Sequence, residues 1–228
     1  MNNFNPRKKN KEEVSYWLSY SDLMAALLII FILILAYNIL QFKVSQEELE
    51  AIQVQIKEID QTNKVIDKLE KEFGEEIEIN EDTGDIVVKS DILFDFDEYE
   101  LKEKGKNFLE DFIPRYLDVM IGDKEIKDNL YRILVVGHTD AKGDYLYNLE
   151  LSQLRALEVV NYIFSEQIKT PYKKEVEKYI EAIGRSETEV KKSDNGEILS
   201  DESRRVEFKF ELRTLEKIKK ALEGIPNP

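Results

Sequence analysis

The chain has 228 residues, a formal net charge of -14 and 35% charged residues. So acidic a chain repels nucleic acid phosphates, which disfavours DNA and RNA as partners. It has no cysteine, which removes disulfides, thiolate metal sites, cysteine nucleophiles and a lipoprotein anchor, and its single histidine, His138, argues against a multi-histidine metal centre.

Residues 1–13 read as a short tail carrying Arg7, Lys8, Lys9 and Lys11. Residues 14–41 read as a transmembrane helix. Leu23 to Leu40 is a run of roughly 18 mostly apolar residues, close to the ~20 that cross a bilayer core. Tyr16, Trp17 and Tyr20 suit the interfacial aromatic belt, and Lys43 is the only basic residue just beyond the run. The positive-inside rule then puts the N-terminus in the cytoplasm and everything after Gln41 outside. The competing reading is a cleaved signal peptide. Its apolar run would be too long, and no A-x-A cleavage site follows Leu40.

Asp22 lies about eight residues, or ~12 Å of helix, inside the segment that begins at Val14. An ionised carboxylate at such depth costs at least ~2.5 kcal/mol, and such residues usually mark ion or proton routes. Ala25 and Ala26, at i+3 and i+4, share its face and let another helix approach closely. The alternative is that the bilayer begins after Asp22, which is then an interfacial residue. Spacing alone leaves both open.

Residues 42–74 read as a helical linker without proline and with Gly74 as its stop. Leu49, Ile56 and Asn63 fall at heptad position a, and Ile52, Ile59, Ile66 and Phe73 at d. A lone Asn at a commonly fixes the register of a parallel pair, so this stalk is expected to be a parallel dimeric coiled coil. The alternative is an amphipathic helix lying on its own domain or on the membrane.

Residues 75–212 alternate strand and helix signals, and residues 213–228 read as a C-terminal helix and tail. EIEIN (76–80) and DIVVKS (85–90) flank a turn as a hairpin. The 92–113 stretch runs from a strand into a helix starting near Glu98. Residues 131–140, 179–184 and 204–212 read as strands. Residues 151–164 read as a helix with Leu154, Leu157, Val160, Tyr162 and Ile163 on its core side. The expected architecture is a mixed sheet with helices packed on one face. A strand delivers His138, Thr139 and Asp140 to a turn, and a helix presents Asn148, Leu151 and Arg155. Asp140 with Arg155 could grip a zwitterion, the carboxylate on its ammonium and the guanidinium on its carboxylate. The same two side chains could equally form an internal salt bridge.

GHTD-x-x-G, N-x-x-LS-x-x-RA, RRVEF and the LFDFD at 93–97 together resemble the OmpA-like peptidoglycan-binding domain over roughly residues 75–212. That resemblance implies that Asp140 and Arg155 hold the diaminopimelate of the peptidoglycan stem peptide. It also implies that Thr139, Asn148 and Leu151 shape the pocket, that Arg204 and Arg205 are structural, and that His138 is a satisfied structural residue. WLSYSDLMAALLIIFILILA resembles the span of MotB-type stator subunits, with Asp22 at the position of their ion-translocating aspartate. The short tail and WLSYSDLM start are most similar to the MotB-like subunits of Zorya anti-phage systems. Departures are Ala25, where many flagellar relatives carry a hydroxyl, and insertions at 116–130 and 165–178.

The resemblance implies a homodimer inside a ring of multi-span MotA-like A subunits, five in number, in the inner membrane, with the C-terminal domain in the periplasm or at the cell wall. A proton is the expected ion, since one carboxylate stands without an oxygen cage. No metal, cofactor or catalysis is expected. The rival readings are a flagellar MotB-type stator subunit, a membrane-to-peptidoglycan tether without transport, and a TolR-like or ExbD-like coupling subunit, against which the OmpA-like motifs argue.

Overall fold

The computed structural model describes the backbone of residues 6–213, with the side chains of 16–213 apart from positions 55, 58 and 75. The final helix expected from Thr214 onward lies outside the described residues. Two compact units divide the chain after Gln53. Helix α1 (Pro6–Phe73) supplies residues to both. Pro6 occupies its first turn, where the missing N–H costs nothing, and Gly74, at φ +53°, ends it.

In the first unit the large apolar side chains from Leu23 to Leu40 all stay exposed, between 43% and 64%. Among the described residues this helix alone is long and apolar enough to cross a membrane.

The second unit is built on a five-stranded sheet in the order β1-β2-β5-β3-β4. β1 (Glu78–Ile79) and β2 (Ile86–Lys89) form the expected antiparallel hairpin. β5 (Arg205–Leu212) runs antiparallel between β2 and β3 (Leu130–His138), and β4 (Ile180–Gly184) lies parallel to β3. The sheet is therefore mixed. Helix α2 (Ser90–Leu93) precedes α3 (Glu103–Leu117), whose Leu109, Phe112, Ile113 and Tyr116 are buried with Phe208 of β5. Helix α5 (Tyr145–Phe164) lies so close to β3 and β4 that a Cβ on Gly137 would meet the Ser152 carbonyl oxygen at 2.2 Å, and one on Gly184 the Gln153 nitrogen at 2.6 Å. Only glycine admits that approach.

Four expectations change. Val65, Ile66, Leu69 and Phe73 of α1 are buried within the domain itself, so the d positions Ile66 and Phe73 are already occupied. The heptad residues left exposed are Leu49, Ile52, Ile56, Ile59 and Asn63. LFDFD is not a strand: Phe94 makes an isolated bridge to Leu101, Asp97 takes φ +63°, and α3 starts at Glu103 rather than near Glu98. On α5 the inward face is Asn148, Leu151, Ser152, Arg155, Ala156, Val159 and Ile163, and Leu157 is 42% exposed. The two insertions pack on each other. Tyr172 Oη donates to Asp118 Oδ1 at 2.8 Å, and Lys127, in helix α4 (Lys124–Asn129), pairs with Glu175 at 3.3 Å. The first insertion also holds α1, through Glu125 with Lys64 at 2.8 Å and Asp123 with Lys68.

Candidate functional site

The end of β3 and the start of α5 are joined by a turn that its own motif closes. The Asp140 carboxylate accepts the Lys142 backbone N–H at 3.0 Å, and Asn148 Nδ2 donates to the Lys142 carbonyl at 3.0 Å. Asp144 caps α5 by accepting the Tyr147 N–H at 3.1 Å. Gly143, at φ +97°, lets the chain reverse. The pattern G-H-T-D-x-x-G…N is thus a self-locking strand-to-helix turn.

Thr139, Asp140, Asn148, Leu151 and Arg155 all line one cleft of about 210 Å³, together with Phe96, Asp97, Lys142, Gly143, Tyr147 and Arg204. Arg155, 2% exposed, donates from Nε to the Glu98 carbonyl at 2.8 Å and lies over the Phe94 ring at 5.3 Å. Burial lowers its pKa against the pull of Asp97, and Arg204 adds to the lowering. An arginine stays cationic under such a shift. Two contacts therefore fix the guanidinium before any ligand arrives, and no ion pair among the described residues neutralises it. The Thr139 hydroxyl is buried and has no hydrogen-bond partner in the structure, a cost that a ligand in this cleft would relieve.

The internal Asp140–Arg155 salt bridge does not form. Asp140 pairs instead with Arg204, which also reaches Asp201. Arg204, expected to be structural, is a cleft residue. Its neighbour Arg205 is structural, 3% exposed and bonded to Glu207 at 2.6 Å. Reading the chain for site residues also missed Phe96, Asp97, Lys142 and Tyr147. Tyr147 Oη donates to Asp97 Oδ1 at 2.7 Å and so ties α5 to the LFDFD segment. The signal for Asp97 was present, since LFDFD belonged to the resemblance.

His138 is only half satisfied. Nε2 lies 3.2 Å from Glu207 Oε2, while Nδ1 is buried without a partner. His138, Glu189 and Glu207 place candidate ligand atoms within 4.8 Å of one another. They fit a metal poorly, because Glu207 already carries Arg205 at 2.6 Å and Lys209 at 2.7 Å. Burial alone would raise the Glu207 carboxyl, but His138, Lys209 and Arg205 together hold it well below the usual carboxylate range.

Asp22 belongs to the first unit. It is exposed on the apolar helix, without a side-chain partner among the described residues.

Residues 93–204, which carry the whole of this cleft, match the OmpA family. The Zorya protein ZorB of Escherichia coli strain ATCC 8739 is 28% identical over 94% of this chain and 95% of its own length. Residues 93–204 thus form an OmpA-family domain, and the chain as a whole resembles ZorB. Outer membrane protein A of Serratia marcescens is 36% identical over 38% of this chain, which spans 22% of that protein's length. The structure of a MotB-like protein from Desulfovibrio vulgaris aligns with 69% of this chain and 94% of its own, at 23% identity and a TM-score of 0.48. At 94% of this chain, the resemblance to ZorB includes the apolar N-terminal segment as well as the domain.

Proposed function

We propose that this chain is the peptidoglycan-anchored B subunit of an ion-driven rotary motor in the inner membrane, serving a Zorya-type anti-phage system. The observation that carries the anchoring half is the convergence of Thr139, Asp140, Asn148, Leu151 and Arg155 on one cleft. There Arg155 takes a carboxylate in a bidentate fork, and Asp140, shared with Arg204, takes the adjacent ammonium. A diaminopimelate side-chain end presents both groups. The likeness to ZorB over nearly the full chain supports the rest.

In this reading the N-terminus is cytoplasmic, the span crosses once, and the domain stands in the periplasm against the wall. Two copies pair through their spans and through the exposed seam of Leu49, Ile52, Ile56 and Ile59. A ring of five MotA-like A subunits surrounds them. Asp22 loads an ion, a proton by preference, from outside and releases it inward, which turns the ring against the dimer. The wall contact is the mechanical reference, since a motor without a fixed part produces no torque.

Paired variants in the assembled complex test both halves. Asp22→Asn keeps the helix and removes the ionisable group. It should abolish ion flux and phage protection while sedimentation with isolated peptidoglycan stays at the wild-type level. Arg155→Ala should lose sedimentation and protection together, with at least a ~10-fold loss of wall affinity. A fully protective Asp22→Asn would leave the non-transporting tether as the surviving reading. Unchanged sedimentation of Arg155→Ala would remove the anchor assignment.

A further inference from the structure

Two residues other than glycine take a left-handed backbone among the described residues, Asp97 at φ +63° and Ser186 at φ +54°. Glycine is the ordinary occupant of that region, and other side chains enter it at a cost. Aspartate tolerates it better than most, and Asp97 lines the cleft directly. Ser186 lines no part of the cleft and is 1% exposed, in the turn that follows β4. A serine held where glycine would rest more easily points to work done by its side chain.

Every polar group of Ser186 is engaged with the frame of the cleft. Its carbonyl accepts the Thr139 N–H at 3.1 Å, at the end of β3. Its N–H donates to Ser152 Oγ at 3.0 Å, on the inward face of α5. Its hydroxyl donates to the Tyr145 carbonyl at 2.9 Å, in the first turn of α5. The same hydroxyl faces the Glu187 carboxylate, and its single proton serves one acceptor at a time. Both routes lead to one turn. The Ser186 hydroxyl first, with the Asn148 side chain adding to it, holds the Glu187 carboxyl below the usual carboxylate range. Asp97 grips this first turn of α5 as well, through Tyr147.

Thr139 brings an unpartnered buried hydroxyl to the cleft, and α5 brings Asn148, Leu151 and Arg155. Ser186 is the buried residue that bonds to both of these walls. We infer that Ser186 is a positioning residue, which fixes the Thr139 hydroxyl and the start of α5 at the separation one ligand spans. This rests on the peptidoglycan reading above. A site held in its bound geometry beforehand binds more tightly than one that the ligand must set.

The test uses the full chain in detergent and a soluble muramyl tripeptide ending in diaminopimelate. Ser186→Gly keeps the left-handed backbone and the bond to Thr139 while removing the hydroxyl. It should unfold within ~2 °C of wild type, because relieved strain offsets the lost bond. It should nevertheless bind the peptide about three- to ten-fold more weakly, the range of one hydrogen bond. Ser186→Ala keeps the strain, so it should lose both affinity and thermal stability. A double-mutant cycle separates positioning from general loosening. Thr139→Val should weaken binding in the wild-type background and weaken it less beside Ser186→Gly, where Thr139 is no longer held in register with α5. Wild-type affinity in Ser186→Gly overturns the inference. So does a Thr139→Val loss that is equal in both backgrounds, zero included. Failure of wild type to bind the peptide removes the peptidoglycan reading itself, and this assignment with it.

Discussion

Glu207 is buried in the domain and Asp22 stands on the apolar N-terminal helix, and the two carboxylates are treated in opposite ways. Glu207 is 4% exposed and meets His138, Arg205 and Lys209, with Lys209 passing the charge on to Asp85 at 3.1 Å. Asp22 stands on a helix whose apolar side chains face outward, and among the described residues nothing in its own chain answers its charge. A buried charge that a chain compensates for itself is a structural element, because losing one partner strands the others. In the reading proposed above, a charge left uncompensated on a helix fit to enter a membrane is answered from outside the chain, by an ion or by a neighbouring subunit. The same contrast recurs within the cleft, where Asp140 is paired and buried Arg155 has no ion pair among the described residues.

The sharpest break of this comparison on the domain side is Glu207→Gln. Removing the charge leaves Arg205 buried beside a neutral amide and half-buried Lys209 with Asp85 alone, which should cost about 3 kcal/mol of domain stability. Chemical denaturation of the two proteins at neutral pH measures it. The pH profile gives a second readout. Glu207 has a folded pKa below its unfolded value, so its stabilisation is fully present above the ordinary carboxylate pKa and is lost as the pH falls toward the folded one. Wild type should therefore lose stability steadily below about pH 4.5, and the variant should lose less over the same interval. Parallel profiles would mean that Glu207 is not the carboxylate that governs acid sensitivity, and its likeness to a compensated structural charge would fall.

The sequence made much of the architecture legible, for reasons that are local. The β1–β2 hairpin was readable because two alternating runs flank a turn, and β3 because its apolar run ends in a glycine and polar residues. All five site residues named from the 137–155 stretch reached one cleft, because one strand, one turn and one helix position them and little long-range geometry intervenes. What needed tertiary contacts was missed. The inward face of α5 was read a step off because three of its buried residues, Asn148, Ser152 and Arg155, are polar and so invisible to apolar periodicity. The last turns of α1 read as a stalk seam, yet Ile66 and Phe73 serve the domain core, and a heptad cannot say whether its partner is a second copy or its own chain. Arg204 lies 64 residues from Asp140, and nothing in either segment announced the pairing.

Tyr116 offers the smallest and cleanest test of the distinction between a cost and a function. It is 1% exposed in the cluster of Phe112 and Phe208, and its hydroxyl is buried without a partner in the structure. Burial, with Asp85 adding to it, pushes the phenol far above its ordinary range, so the group stays neutral at every physiological pH. Unlike the orphan hydroxyl of Thr139, it lines no part of the cleft. It therefore has no ligand to await, and its desolvation is never repaid. Tyr116→Phe should raise stability by about 1 kcal/mol, or roughly 2–4 °C in Tm for a domain of this size, and leave peptidoglycan sedimentation unchanged. A loss of stability would mean that the hydroxyl is hydrogen-bonded in solution. A loss of wall binding at unchanged stability would mean that an unpartnered polar group in this core does serve the site, and the rule used to separate Glu207 from Asp22 would no longer hold inside the domain.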